Sequence, residues 1–434
     1  MTTRRISLSV LATAILTTAP FHAGAVRIDY SIDAGIERDD NVLMSPTDPQ
    51  DSNALRAGFG FVVTEETSTV QANFGGRLEY WNYVDGPQSN TVEGSLTGRL
   101  NWSIVPEVFS FTVEDSLEMR PIDRFVADTP GNRQRVNVLS LGPNLQFNWN
   151  QAFRGRAELR WIDTRAAETD DIESQRVAAT LHAIRDLGPT SLLSFSVRGQ
   201  DVDYTHDVVA RDHRRYDAYM RYDRELRRLG IGLVAGYSWV DYDDGSSASH
   251  PLVRGRIDWA LSPRNAVALE AAHQMTDASE SAIAGITAVS SVPERLSTAS
   301  IAVNPSIYEE DRIEFHWSHH RERFNFTLGS YYERIDFLDA TAAFDETRRG
   351  ALGQLSYRLT PTMQLRSYAD IARSEFPGLD SRSDDKRYGL GISRQWSRHW
   401  SSSLDYMHYR RSWEGAHVDT RQNVWYLTVT YRNR

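Results

Sequence analysis

Arginine carries most of the chemical potential of this sequence. Of its 48 basic residues, Lys386 is the only lysine. A guanidinium stays charged at any physiological pH, and its planar fork binds carboxylates and other oxyanions through paired hydrogen bonds. These arginines often recur two residues apart, as in Arg154-Gly155-Arg156 and Arg254-Gly255-Arg256. That spacing puts both side chains on one face of a strand. Arg77, Arg99, Arg154, Arg156, Arg160, Arg254, Arg256 and Arg366 are therefore candidate residues of a polar inner path, together with Arg198 and Arg221. Glu79, Glu93, Glu114, Glu158, Asp258 and Asp370 fall on the same faces. Cross-strand ion pairs in a solvated wall are the plain use of such a set. A basic track that guides an anionic polymer is the sharper one, since a low-dielectric channel focuses the field. Tyr219, Tyr331, Tyr332, Tyr406 and Tyr409 could present ring faces to sugars or simply pack in a wall.

Other chemistry is thin. His316, His319 and His320 lie near Ser318, and His399 lies near Ser397, but no pair sits in a recognisable nucleophile motif. No Walker, Rossmann, HExxH or GxSxG pattern occurs. Asp39-Asp40, Asp170-Asp171, Asp241 with Asp243-Asp244, and Asp384-Asp385 could meet a divalent cation, yet none has the ordered spacing of a calcium loop. No enzyme, resident metal or cofactor is expected.

The elements that would position these side chains are strands. Val70, Ala72, Phe74, Gly76, Leu78 and Tyr80 alternate with Gln71, Asn73, Gly75, Arg77 and Glu79. Segments 92–102, 153–161, 229–239 and 422–432 alternate in the same way, one apolar face against one wet face. Short turns, several with Pro106, Gly188-Pro189, Pro263 or Pro361, take turns with longer acidic loops. Those loops are Asp39–Ser52, Arg120–Arg133, Ala166–Asp171, Asp203–Asp212, Asp241–Ser249, Asp339–Glu346, Phe376–Asp385 and Ser412–Asp419. Trp81, Trp102, Trp161, Trp239, Trp425 and Tyr431 lie where interfacial aromatic girdles would be. The expected architecture is an all-β, transmembrane, antiparallel up-and-down β-barrel of about 20 strands. The number runs from 18 to 22, depending on whether Thr276–Tyr308 is one loop or hides a hairpin at Leu296–Val303.

Residues 1–25 read as a signal peptide, with Arg4-Arg5, an apolar stretch from Ile6 to Pro20 and Ala23-Gly24-Ala25 before a mature start at Val26. Residues 26–434 then form one barrel domain, without a linker or composition break. The cysteine count is zero, which excludes disulfide staples and a lipoprotein anchor. A net charge of −10 argues against a nucleic-acid partner. Mean hydropathy is −0.49, a value that suits a soluble protein and a half-wet barrel wall equally. Signal and barrel together lead to the bacterial outer membrane, with its lipid, lipopolysaccharide and barrel-assembly machinery as partners.

The stretch Ile28–Val42, ending Glu37-Arg38-Asp39-Asp40-Asn41-Val42, resembles the start of β-barrel porins found with exopolysaccharide clusters, the EpsL-like barrels. Arg/Tyr-rich strands such as Arg215–Tyr222 are similar to that family as well. The likeness extends over the mature chain through short, degenerate motifs. It implies a role in exporting an extracellular polysaccharide, with the polymer and periplasmic export proteins as partners. A general or solute-specific diffusion porin, a barrel lipid hydrolase or acyl transferase, and a structural barrel with a plugged lumen are the rival expectations. One departure from common barrels is that Arg432-Asn433-Arg434 follow Tyr431, where many chains end on an aromatic residue.

Overall fold

The computed structural model describes residues 26–434 except 124, 126–128, 151, 207–210, 282–305, 339–344 and 415–417. The proposed signal peptide and the segment Leu296–Val303 lie outside the described residues. Strands β1 (Arg27–Asp39), β2 (Ser52–Glu66), β3 (Val70–Tyr83), β4 (Thr91–Val105) and β5 (Phe109–Pro121) open the chain. They are followed by β6 (Arg133–Asn148), β7 (Phe153–Ala166), β8 (Ser174–Gly188), β9 (Ser191–Tyr204) and β10 (His213–Glu225). The second half holds β11 (Leu229–Tyr242), β12 (Ser247–Ser262), β13 (Asn265–Thr276), β14 (Tyr308–His320) and β15 (Phe324–Phe337). It ends with β16 (Glu346–Thr360), β17 (Met363–Phe376), β18 (Ser381–Gln395), β19 (Trp400–Trp413) and β20 (Val418–Arg432).

Every strand pairs antiparallel with its sequence neighbours, and β1 also pairs with β20, so the 20-stranded sheet has no free edge. Closure satisfies the backbone polar groups that lipid could not. No helix among the described residues is long and apolar enough to cross a membrane; the crossing is made by strands. Their lengths of 12 to 16 residues exceed the ~9–11 that a tilted strand needs for the hydrocarbon layer, so hairpins project beyond it.

Alternation sets the two surfaces. On β1, Ile28, Ile32 and Ile36 are exposed on the outside, while Asp33 and Glu37 are buried on the inner side. Trp149, Trp259, Trp396 and Trp400 are exposed at the short-turn end, and Tyr80, Tyr237 and Trp239 toward the long-loop end. Four short turns share one construction. Register shifts between Ser103 and Val105, Asp186 and Gly188, Ala260 and Ser262, and Arg358 and Thr360 each sit just before Pro106, Pro189, Pro263 or Pro361. A bulge supplies the extra residue and twist, and proline presets the following bend.

Residues of the opening segment close the seam between the first and last strands. Asp40 accepts hydrogen bonds from the Asn423 backbone N–H and side-chain amide, both 2.6 Å. Asn41 Nδ2 donates to the Arg421 carbonyl at 2.9 Å. At the other end Asn433 donates to the Ile28 carbonyl and accepts from the Tyr30 N–H. Asn433, two residues beyond Tyr431, thus helps lock the barrel shut. Phe376–Asp385, expected as an acidic loop, is instead a tight turn at Pro377–Leu379, and Asp384 and Asp385 belong to β18.

Candidate functional site

The inner faces of the strands enclose a cavity of about 3320 Å³. Arginines and carboxylates line it in near-equal number, with Asn, Gln, Ser and Thr between them. Arg77, Arg99, Arg156, Arg160, Arg254, Arg256 and Arg366 all line this space. Arg154 shares their parity but sits at the short-turn rim, paired with Asp186 at 2.7 Å.

Most of these arginines are answered by carboxylates. Asp33 receives Arg77 at 2.7 Å and Arg56 at 3.3 Å, and Arg77 also meets Glu79 at 2.5 Å. Arg99 faces Glu114, Arg366 faces Asp405, and Arg256 holds Asp258 and Glu270. Arg156 and Arg160 flank Glu158 at 2.6 and 3.3 Å. Ion pairing across the wall is therefore real, and the surface is mixed in sign. Arg254 differs: it is exposed to the cavity and no carboxylate lies within ion-pair distance among the described residues.

The feature that strand alternation did not reveal is the root of the long loop between β13 and β14. Residues Asp277–Ser281 turn into the barrel instead of standing above it. Arg176 on β8 meets Asp277 at 2.6 Å, with both side chains 2 % exposed. Glu280 is held at 2.8 Å by both Arg198 on β9 and Arg215 on β10. Arg215 also donates to the Met275 carbonyl, and Thr164 donates to Ser279. Asp277 caps the short turn by accepting from the Ser279 and Glu280 N–H groups. The returning chain is fixed by Tyr308, fully buried, whose hydroxyl is 3.0 Å from Ser281. Val240, Tyr242, Met275 and Ile307 form an apolar seat beneath it. Burial opposes ionisation of Glu280, but Arg215, Arg198, Arg176 and Arg254 outweigh it and hold the carboxyl well below the usual range. The sequence held one local sign of this, Asp277-Ala278-Ser279-Glu280, an N-cap residue followed three positions later by Glu.

Tyr219 and Tyr331 face the cavity, as does Tyr368, whose ring lies over Gly389, where a Cβ would be 1.9 Å from it. Tyr332 shares the outward parity of Leu328. Tyr406 likewise lies on the outward face, its ring tilted by 42° against that of Trp425 with 4.7 Å between ring centres. Tyr409 is on the inner face, buried, with its hydroxyl on Asp385.

Among the expected interface aromatics, Trp239 and Trp425 are exposed on the outer face. Trp102 and Trp161 share that face with partial cover, and Tyr431 packs there against Trp400 and Tyr30. Trp81 is the exception. It is fully buried on the inner side beneath the Arg56 guanidinium, 5.5 Å from the ring centre. Adjacent residues on a strand face opposite ways, and Tyr80 takes the outward place.

Neither expected His–Ser neighbour forms a side-chain pair. His316 meets Glu314, and His399 Nδ1 meets the Arg432 carbonyl. His182 does approach Ser196 (2.7 Å) and Glu158 (3.5 Å). Ser196, however, is 1 % exposed, so its hydroxyl is closed to a substrate.

No family model matches the chain, and no curated protein is detectably similar in sequence. Among solved structures, it is similar to the FrpB iron transporter from Neisseria meningitidis. Identity is 9 %, coverage 93 % of this chain and 81 % of that one, and TM-score 0.45. For the siderophore receptor PirA from Pseudomonas aeruginosa the values are 13 %, 95 %, 81 % and 0.46. For OccAB4 from Acinetobacter baumannii they are 8 %, 94 %, 98 % and 0.38. Likeness at this level says nothing of cargo, and the barrel class rests on the closed strand ladder itself.

Proposed function

We propose that the protein is a passive outer-membrane channel for hydrophilic solutes that filters by size and by the mixed charge of its wall. The observation that carries this reading is the polar cavity of about 3320 Å³ narrowed by a loop root tied to arginines on three strands. The arginines and carboxylates that line the cavity around this root suit a water-filled passage. The short-turn end lies in the periplasm and the long loops outside, as in bacterial barrels. Reconstituted liposomes should swell in neutral sugars up to a sharp size limit, and sealed liposomes at every sugar size would overturn the channel.

Export of an extracellular polysaccharide is the second reading, favoured by Tyr219, Tyr331 and Tyr368 standing beside arginines on the inner face. Ring faces suit sugars, and guanidinium groups suit acidic ones. The driving force would come from synthesis at the inner membrane. In a deletion strain this reading expects polymer retained in the periplasm and released on complementation. Unchanged secretion would leave a small-solute porin.

A further inference from the structure

At the long-loop end of β12, β13 and β14, two histidines and two carboxylates converge from positions far apart in sequence. His250 Nε2 is 2.9 Å from His273 Nε2 and 3.2 Å from Glu309 Oε1. The ligand atoms of His250, His273 and Glu309 all lie within 4.8 Å of one another. Directly opposite His273 in the β13–β14 ladder is Asp311, whose carboxylate is 2.5 Å from His273 Nδ1.

We propose that His250, His273 and Glu309 form a binding site for a borderline divalent transition metal, zinc in the first place. Tetrahedral ligands ~2.0–2.1 Å from zinc stand about 3.3 Å apart, so the 2.9 and 3.2 Å separations about His250 need shifts of only a few tenths of an ångström, and the His273–Glu309 pair closes from within 4.8 Å. Two imidazole nitrogens and one carboxylate oxygen are a zinc-type donor set, not the all-oxygen set that calcium or magnesium takes. Asp311 is the positioning residue. By accepting a hydrogen bond from Nδ1–H it fixes the tautomer that leaves Nε2 of His273 with a free lone pair, the carboxylate–histidine–metal arrangement. Such a site leaves a fourth position for water or for an outer ligand. It also stands where β13 leaves the wall and β14 returns, so a bound ion would tie β12 to the two strands that flank the inward loop root.

The test is a zinc titration of the folded full-length barrel in detergent, in competition with a chromophoric chelator. Wild type, a His250→Ala/His273→Ala double variant and Asp311→Asn are compared, each first shown to be folded by heat-modifiable gel migration. One zinc per chain in the wild type, absent from the double variant and weaker by ~10–100-fold in Asp311→Asn, is the expected result. Zinc binding no tighter in the wild type than in the double variant would mean that the cluster is only hydrogen-bonded, and would overturn the site. If the double variant fails to fold, Asp311→Asn alone decides, an unchanged affinity being the contrary result.

Discussion

Asp277 and Glu280 show how a few side chains decide what a wide barrel can pass. Arg176 and Asp277 are removed from water together, so taking one partner away leaves an uncompensated charge, a loss of ~3–5 kcal/mol. Asp277→Asn should therefore release the loop root, and single-channel recordings should show larger and noisier conductance than wild type. The pH dependence follows from the lowered Glu280 value. A carboxyl with a depressed folded value contributes its full stabilisation above its ordinary value of 4.5 and loses it only as pH falls through the depressed one. Conductance should be flat between pH 8 and pH ~5; a step near neutrality would show that something other than Glu280 sets the constriction. Arg254 faces the cavity with no carboxylate within ion-pair distance among the described residues, although it lies in the field of Glu280, and is a wall charge open to a passing ion. Arg254→Gln should move the permeability ratio of potassium over chloride upward, measured as a shift in reversal potential, while Arg154→Gln at the rim should barely move it. The spacing of the wall arginines was legible because a period of two states which face they share. Arg176 and Asp277 are 101 residues apart, and His250, His273 and Glu309 come from three strands, so no local period could announce either meeting.

At the scale of elements, the legible parts are those in which local chemistry and the bilayer ask for the same thing. Apolar alternation marked the strands, and prolines 106, 189, 263 and 361 marked turns whose bulges the structure shows. Legibility fails where strands leave the bilayer. Above it both faces are wet, alternation loses its apolar half, and a β-ladder such as Ser381–Asp385 reads as an acidic loop. Gly142 on β6 tests how tightly the wall is built. A Cβ there would lie 1.8 Å from the Leu159 carbonyl oxygen, a backbone atom that cannot rotate away. Gly142→Ala should cost at least ~1–3 kcal/mol, read as a lower urea midpoint for unfolding in detergent or lipid. An unchanged midpoint would mean that the β6–β7 approach is looser than this geometry.

The whole molecule is a closed wall with a girdled apolar exterior and an interior of paired charges, locked at the β1–β20 seam by Asp40, Asn41 and Asn433. Its mixed lumen accounts for a net-acidic chain whose cavity is nevertheless not strongly acidic, and it predicts weak ionic selectivity. The central claim is that this interior is an aqueous passage whose bore is set by the inward loop root. Conductance of single purified barrels in planar bilayers, wild type beside Asp277→Asn, tests it most directly. Discrete steps in the wild type that grow in the variant are the predicted result. A wild-type barrel that is folded but electrically silent, with a variant equally silent, would contradict it and leave a plugged structural barrel.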